Sequence, residues 1–216
     1  HWFERGVARL TVARLFAAIE DWTPALASVE AALTEAPDSR PAQRLRADIL
    51  GWSGRHEESL AAYDRYLTDV PLDWEAARQR ARVAGWAGMY ARADRHYDDL
   101  MAQRPDDLAL RAEASAKRAF FDGRWRDAAS AYADWIARDP ESSEARFERA
   151  AALKASGDTA AWERSLVDLK VDAGHRLAAE ALQQAFDARR PRLSIVGENR
   201  SSSGYAGARL LDLARD

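Results

Sequence analysis

The chain contains no cysteine among its 216 residues. That excludes disulfides, thiolate metal sites and cysteine nucleophiles together. It suits both a bacterial periplasm and a cytosol. Lysine occurs only at Lys117, Lys154 and Lys170, and asparagine only at Asn199. No stretch approaches the run of about 18 apolar residues that a membrane-spanning helix needs. A basic excess is also missing: the formal net charge is −3, which argues against a nucleic-acid partner. The four histidines, His1, His56, His96 and His175, include no pair at metal-ligand spacing on one helix. No glycine-rich phosphate loop, Gly-x-Ser-x-Gly elbow or kinase motif is present. A glycosidase-type pair of carboxylates has nothing pointing to it. The expectation is a chain without catalytic residues, metal or cofactor.

What the chain has in abundance is alanine, arginine, leucine and glutamate, which favour helix. It also has a period. Pro37, Pro71, Pro105 and Pro140 close four similar segments, 34, 34 and 35 residues apart. Small residues keep step at Ala25, Ser59, Ala93 and Ala128, followed four residues on by Val29, Tyr63, Tyr97 and Tyr132. Three residues before each small residue stand Trp22, His56, Tyr90 and Trp125, which gives His56 a packing role. Alanines recur in the preceding helix at Ala13, Ala47, Ala81, Ala116 and Ala150, and turn glycines at Gly54, Gly88, Gly123 and Gly157. Alanine lets the two helices of a hairpin approach. The large residue one turn later fills the hole between hairpins. Glycine near the bend can take positive φ, and proline stops the second helix.

Paired helices are expected over 7–19, 25–36, 40–53, 57–69, 73–87, 91–103, 108–121, 125–138, 143–156 and 159–169, the first extending back to Trp2. The 34-residue spacing, the small residue, the aromatic four residues on and the terminal proline resemble the tetratricopeptide repeat family over about residues 6–157. The resemblance implies an all-α fold: a right-handed solenoid of about five hairpins, with a capping helix and a short β-like C-terminal tail. The repeats fall at about 6–39, 40–73, 74–108, 109–142 and 143–170, making a solenoid of 1–170. Two departures stand out. The extra residue near Asp106–Leu108 is expected in a loop, and Trp162 stands where the fifth unit should have a small residue.

His175–Ala188 reads as the capping helix, within 171–190. Beyond Pro191, Leu193–Glu198 is β-like and Asn199–Gly204 is a turn. The extension 191–216 would lie on the last helices or open a β-barrel domain. Trp52-Ser53-Gly54-Arg55 and Trp86-Ala87-Gly88-Met89-Tyr90 resemble repeats of bacterial periplasmic proteins whose solenoid precedes an outer-membrane β-barrel, several of them in exopolysaccharide export and biofilm systems. Arg190-Pro191-Arg192-Leu193 is similar to such a junction.

In a tetratricopeptide stack the first helix of each hairpin lines the concave face. Three ladders follow, each one helical turn from the last: Arg44, Arg78, Glu113; Asp48, Arg82, Lys117; Trp52, Trp86, Phe121. A groove with arginines beside indoles could hold a sugar polymer or an extended peptide. The competing reading is packing of Trp52 and Trp86 between repeats, with Arg44 and Asp48 an ordinary surface pair. Arg46, Arg80 and Arg149 form a further set, expected to pair with acids of the neighbouring hairpin. The candidate ligand-binding residues are therefore Arg44, Asp48, Trp52, Arg78, Arg82, Trp86, Lys117 and Phe121. The resemblances imply a non-catalytic scaffold, periplasmic and outer-membrane associated, that docks an exopolysaccharide or its export partners. The alternative is a general protein–protein adaptor, cytoplasmic or periplasmic. A clamp for a terminal carboxylate fits poorly, because the repeats lack asparagine and only Lys117 is well placed.

Overall fold

A computed structural model of the chain describes residues 2–171. Ten helices make up the described residues: α1 (Trp2–Ala18), α2 (Trp22–Glu35), α3 (Arg40–Trp52), α4 (His56–Asp69), α5 (Trp74–Trp86), α6 (Tyr90–Gln103), α7 (Leu108–Phe121), α8 (Trp125–Arg138), α9 (Ser143–Ala155) and α10 (Thr159–Val171). They pair in chain order into five hairpins. Each hairpin stacks on the next through its second helix, and α3 also touches both α1 and α5. First helices therefore line one face and second helices the other. The expected capping helix at 175–188 and the β-like segment at 193–198 lie outside the described residues.

The bends explain the glycines. Gly54, Gly88, Gly123 and Gly157 take φ of 80°, 72°, 70° and 80°. The next residue's N–H then reaches back to the last turn: Arg55 to Leu50 O, Met89 to Ala84 O and Arg124 to Ala119 O, each at 2.9 Å, and Asp158 to Leu153 O at 3.2 Å. This closes the carbonyls a helix end leaves open. The first hairpin makes the same bond, Asp21 N–H to Phe16 O at 3.0 Å. There Glu20 takes the positive φ, 57°.

Between hairpins the prolines sit second in a four-residue turn. Ser39, Asp73, Asp107 and Ser142 donate back to Ala36, Val70, Arg104 and Asp139 at 3.0–3.2 Å. Proline's fixed φ suits that position. Three of these residues also cap the following helix: Asp73 accepts from Ala76 N–H at 3.0 Å, Asp107 from Leu110 at 2.9 Å and Ser142 from Ala145 at 3.2 Å.

The four turns are equal in length, so the extra residue is not in a loop. It lies inside α7, which has 14 residues where α3 and α5 have 13. The turn is over-determined by proline, cap and hydrogen bond, so the helix takes up the insertion.

Every repeating small residue is buried, as are Val29, Tyr63, Tyr97 and Tyr132. Ser59 fits beside them because its hydroxyl donates to Ala47 O at 2.7 Å. Gly51 and Gly85 have a further reason. A Cβ at Gly51 would meet Val83 at 2.8 Å, and one at Gly85 would meet Phe121 at 2.6 Å. The fifth hairpin keeps its register despite Trp162, which is half-buried. Its ring lies under the Lys154 amine at 5.2 Å and packs beside the Ala150, Leu166 and Leu169 cluster.

Candidate functional site

The three ladders occupy α3, α5 and α7, and the structure gives each charge on them a partner. Arg44 Nη1 donates to both Asp73 oxygens at 2.9 Å, while the Tyr66 hydroxyl donates to the same carboxylate at 2.7 Å. Asp48 accepts from the Tyr63 hydroxyl.

The next rungs form one network. Glu113, 0% exposed, accepts from Arg82 at 2.6 and 2.9 Å, from Tyr97 Oη at 2.8 Å, and from Arg78. Glu144 on α9 lies 3.1 Å from Arg82 Nε. Lys117, 2% exposed, holds Glu144 and Glu148 at 2.7 Å each. Its ammonium lies 5.9 Å from the ring centres of both Trp86 and Trp135, and Arg82 lies 5.4 Å from that of Trp135.

The charges set one another. Burial pushes the Glu113 carboxyl up, but Arg82, Arg78 and Lys117 outweigh it and hold it down to about 2. Burial pulls the Lys117 amine down, and its carboxylate neighbours raise it above its ordinary value. Glu148 is pushed up by burial, against the opposing pull of Lys117. Three cations face three carboxylates, so the network is self-neutralising.

Above it lies a groove of about 840 Å³. One wall is the end of α3 and the face of α5, with Trp52, Trp86, Glu75, Gln79 and the outer edges of Arg78 and Arg82. The other is the α8–α9 turn and the start of α9: Asp139, Glu141, Ser142, Ser143, Glu144 and Phe147. Glu20, Trp22 and His56 reach in from the hairpin bends. Trp52 is 45% exposed. A second cavity of about 740 Å³ adjoins it, lined by Arg14, Trp22, Arg44, Asp48 and Trp52 among others.

No family model matches the sequence, and no curated protein is a significant match. Solved structures do resemble it. PilW, a widely conserved type IV pilus biogenesis factor, superposes with a TM-score of 0.56 at 20% identity, over 84% of this chain and 82% of that one. MamA 41-end from Desulfovibrio magneticus RS-1 superposes at 0.51 and 12% identity, over 85% and 97%. A tetratricopeptide repeat protein from Parabacteroides merdae ATCC 43184 gives 0.49 at 18% identity, over 85% and 73%. At such identities the likeness is one of fold. The chain folds as a tetratricopeptide-repeat solenoid.

Within that solenoid the eight candidate residues separate. Trp52, Arg78, Arg82 and Trp86 line the concave groove. Arg44 and Asp48 line the adjoining cavity, which shares Trp52. Lys117 lies beneath the groove, in the network. Phe121 stacks on Tyr90 at 4.5 Å and packs against Gly85, a contact between repeats. Of the further arginine set, Arg80 pairs with Asp64 at 2.9 Å and Arg46 with Glu30. Arg149 Nε has no hydrogen-bond partner among the described residues. The facing wall of α9 was not in the ladders. Its residues have no repeat-wide pattern, and only the curl of the stack brings them opposite α5. Among the described residues no helix is long and apolar enough to cross a membrane.

Proposed function

We propose that the protein is a non-catalytic scaffold whose concave groove holds an extended segment of a partner protein. The observation that carries this is the groove itself. It is about 840 Å³, walled by indole and carboxylate side chains, with Trp52 45% exposed. An extended chain offers apolar side chains for the indoles and backbone groups for Gln79, Ser142 and Ser143.

The periplasmic exopolysaccharide reading needs arginines available for the hydroxyls or carboxylates of a glycan. Arg78 and Arg82 already share Glu113. Redirecting them would strip a buried carboxylate of its partners, which is strongly unfavourable. The adaptor reading asks for no such rearrangement.

The test is a pair of arrays, one of random dodecapeptides and one of neutral and acidic oligosaccharides. Both are probed with the full chain and with Trp52→Ala. Retention of a subset of peptides that Trp52→Ala loses supports the scaffold reading. Retention on glycans alone overturns it.

A further inference from the structure

We propose that the groove selects a basic segment of a partner protein, laid over the indoles of Trp52 and Trp86 with its cations against Glu75, Asp139 and Glu141. This rests on the peptide-scaffold reading and gives it a ligand class.

The inference comes from which charges are spent and which are not. Arg78, Arg82 and Lys117 are balanced within the network by Glu113, Glu144 and Glu148. The groove's two arginines therefore contribute little net positive field. Three of its other carboxylates are in a different position. Glu75, Asp139 and Glu141 line the groove and make no ion pair among the described residues. They stand on opposite walls, Glu75 in the first turn of α5 and the other two in the α8–α9 turn. A cleft walled by one sign of charge concentrates the opposite sign and steers its approach.

The indoles supply the second half of the preference. The exposed face of Trp52 offers a surface on which a guanidinium or ammonium can lie. The protein already makes such contacts internally, Arg104 over Trp74 at 4.2 Å being one. A basic segment can thus lay one side chain on an aromatic face and set another against a carboxylate, whereas an acidic segment would meet unpaired carboxylates on both walls. The polarity is opposite to that of a carboxylate clamp.

The experiment is fluorescence anisotropy with three fluorescein-labelled dodecapeptides of alternating leucine with arginine, serine or glutamate. The protein is the full chain. Two triple variants run beside it, each checked for unchanged helicity. Glu75→Gln, Asp139→Asn, Glu141→Gln neutralises the groove, and Glu57→Gln, Asp99→Asn, Asp106→Asn removes the same charge outside it. A peptide of residues 187–200, which carries Arg189, Arg190, Arg192 and Arg200, is included.

The expected result is saturable binding of the arginine peptide, weakened about tenfold or more by the groove triple and under about twofold by the outer one. Raising salt from about 50 to about 500 mM should weaken it further. Equal losses in both triples would mean diffuse attraction and overturn the proposal. Tighter binding of the serine or glutamate peptide would overturn the basic preference but leave the scaffold reading standing. Binding of no peptide would remove both. Tightest binding of the 187–200 peptide would assign the groove to the chain's own segment and overturn a partner.

Discussion

Glu113 is the residue on which the interior of the stack depends most. It is fully buried and receives two guanidiniums and a phenol. Glu113→Gln keeps its shape but leaves Arg78 and Arg82 without their shared carboxylate. The expected loss is about 3 kcal/mol, the range for breaking a buried ion pair, read as a lower urea midpoint. The carboxyl is held at about 2 rather than 4.5, so on acidification the unfolded chain takes up this proton first. The stability Glu113 contributes is complete above about pH 4.5 and is lost as pH falls towards 2. Glu113→Gln should flatten the stability profile in that window. His96 acts at a higher window. Its Nε2 accepts from Arg92 at 3.4 Å; burial and then Arg80 and Arg92 push its pKa down to about 4 from 6.5. The unfolded chain again protonates first, so stability should decline as pH falls from about 6.5 towards 4. His96→Gln should remove that part of the decline in a urea series, and an unchanged profile would contradict the assignment.

At the scale of helices, contact between successive first helices is set by glycines as much as by alanines. Gly85→Ala would place a Cβ 2.6 Å from Phe121 Cζ, and that ring is held by its stack on Tyr90. Overpacking of this kind costs about 1–3 kcal/mol. The expected outcome is a lower melting temperature for Gly85→Ala, partly restored when Phe121→Leu is added. The elements themselves were legible because each constraint occurs four or five times. Ala13, Ala47, Ala81, Ala116 and Ala150 hold one place in the period, and all are buried. α2 starts at Trp22 rather than at 25, with Pro24 inside its first turn. In the first turn it is tolerated, having no N–H to lose. The insertion was visible as a spacing of 35. Its place inside α7 was not, because sequence does not say whether a turn or a helix yields.

Across the whole molecule, the ladders run along the faces of α3, α5 and α7, but spacing does not show every carboxylate their charged rungs meet. Arg78, Arg82 and Lys117 read as ligand-facing because their neighbours on the same helix are known from spacing. Glu113, which Arg78 and Arg82 share, is the next rung of Arg78's own ladder, but Glu144 and Glu148, which complete the network, come from α9. Pairing between hairpins depends on the rotation of each on the last, which no periodicity records. The same curl sets Asp139 and Glu141 across from Glu75. The most direct measurement is therefore one that locates a bound peptide. The chain has eight tryptophans, and their indole N–H signals can be followed by NMR during titration with the arginine–leucine dodecapeptide. Peptide held in the concave groove should shift Trp52 and Trp86 saturably and leave Trp74, stacked under Arg104 away from the groove, unmoved. Shifts centred on Trp74, with Trp52 and Trp86 unmoved, would place the binding surface elsewhere and contradict the groove as the site.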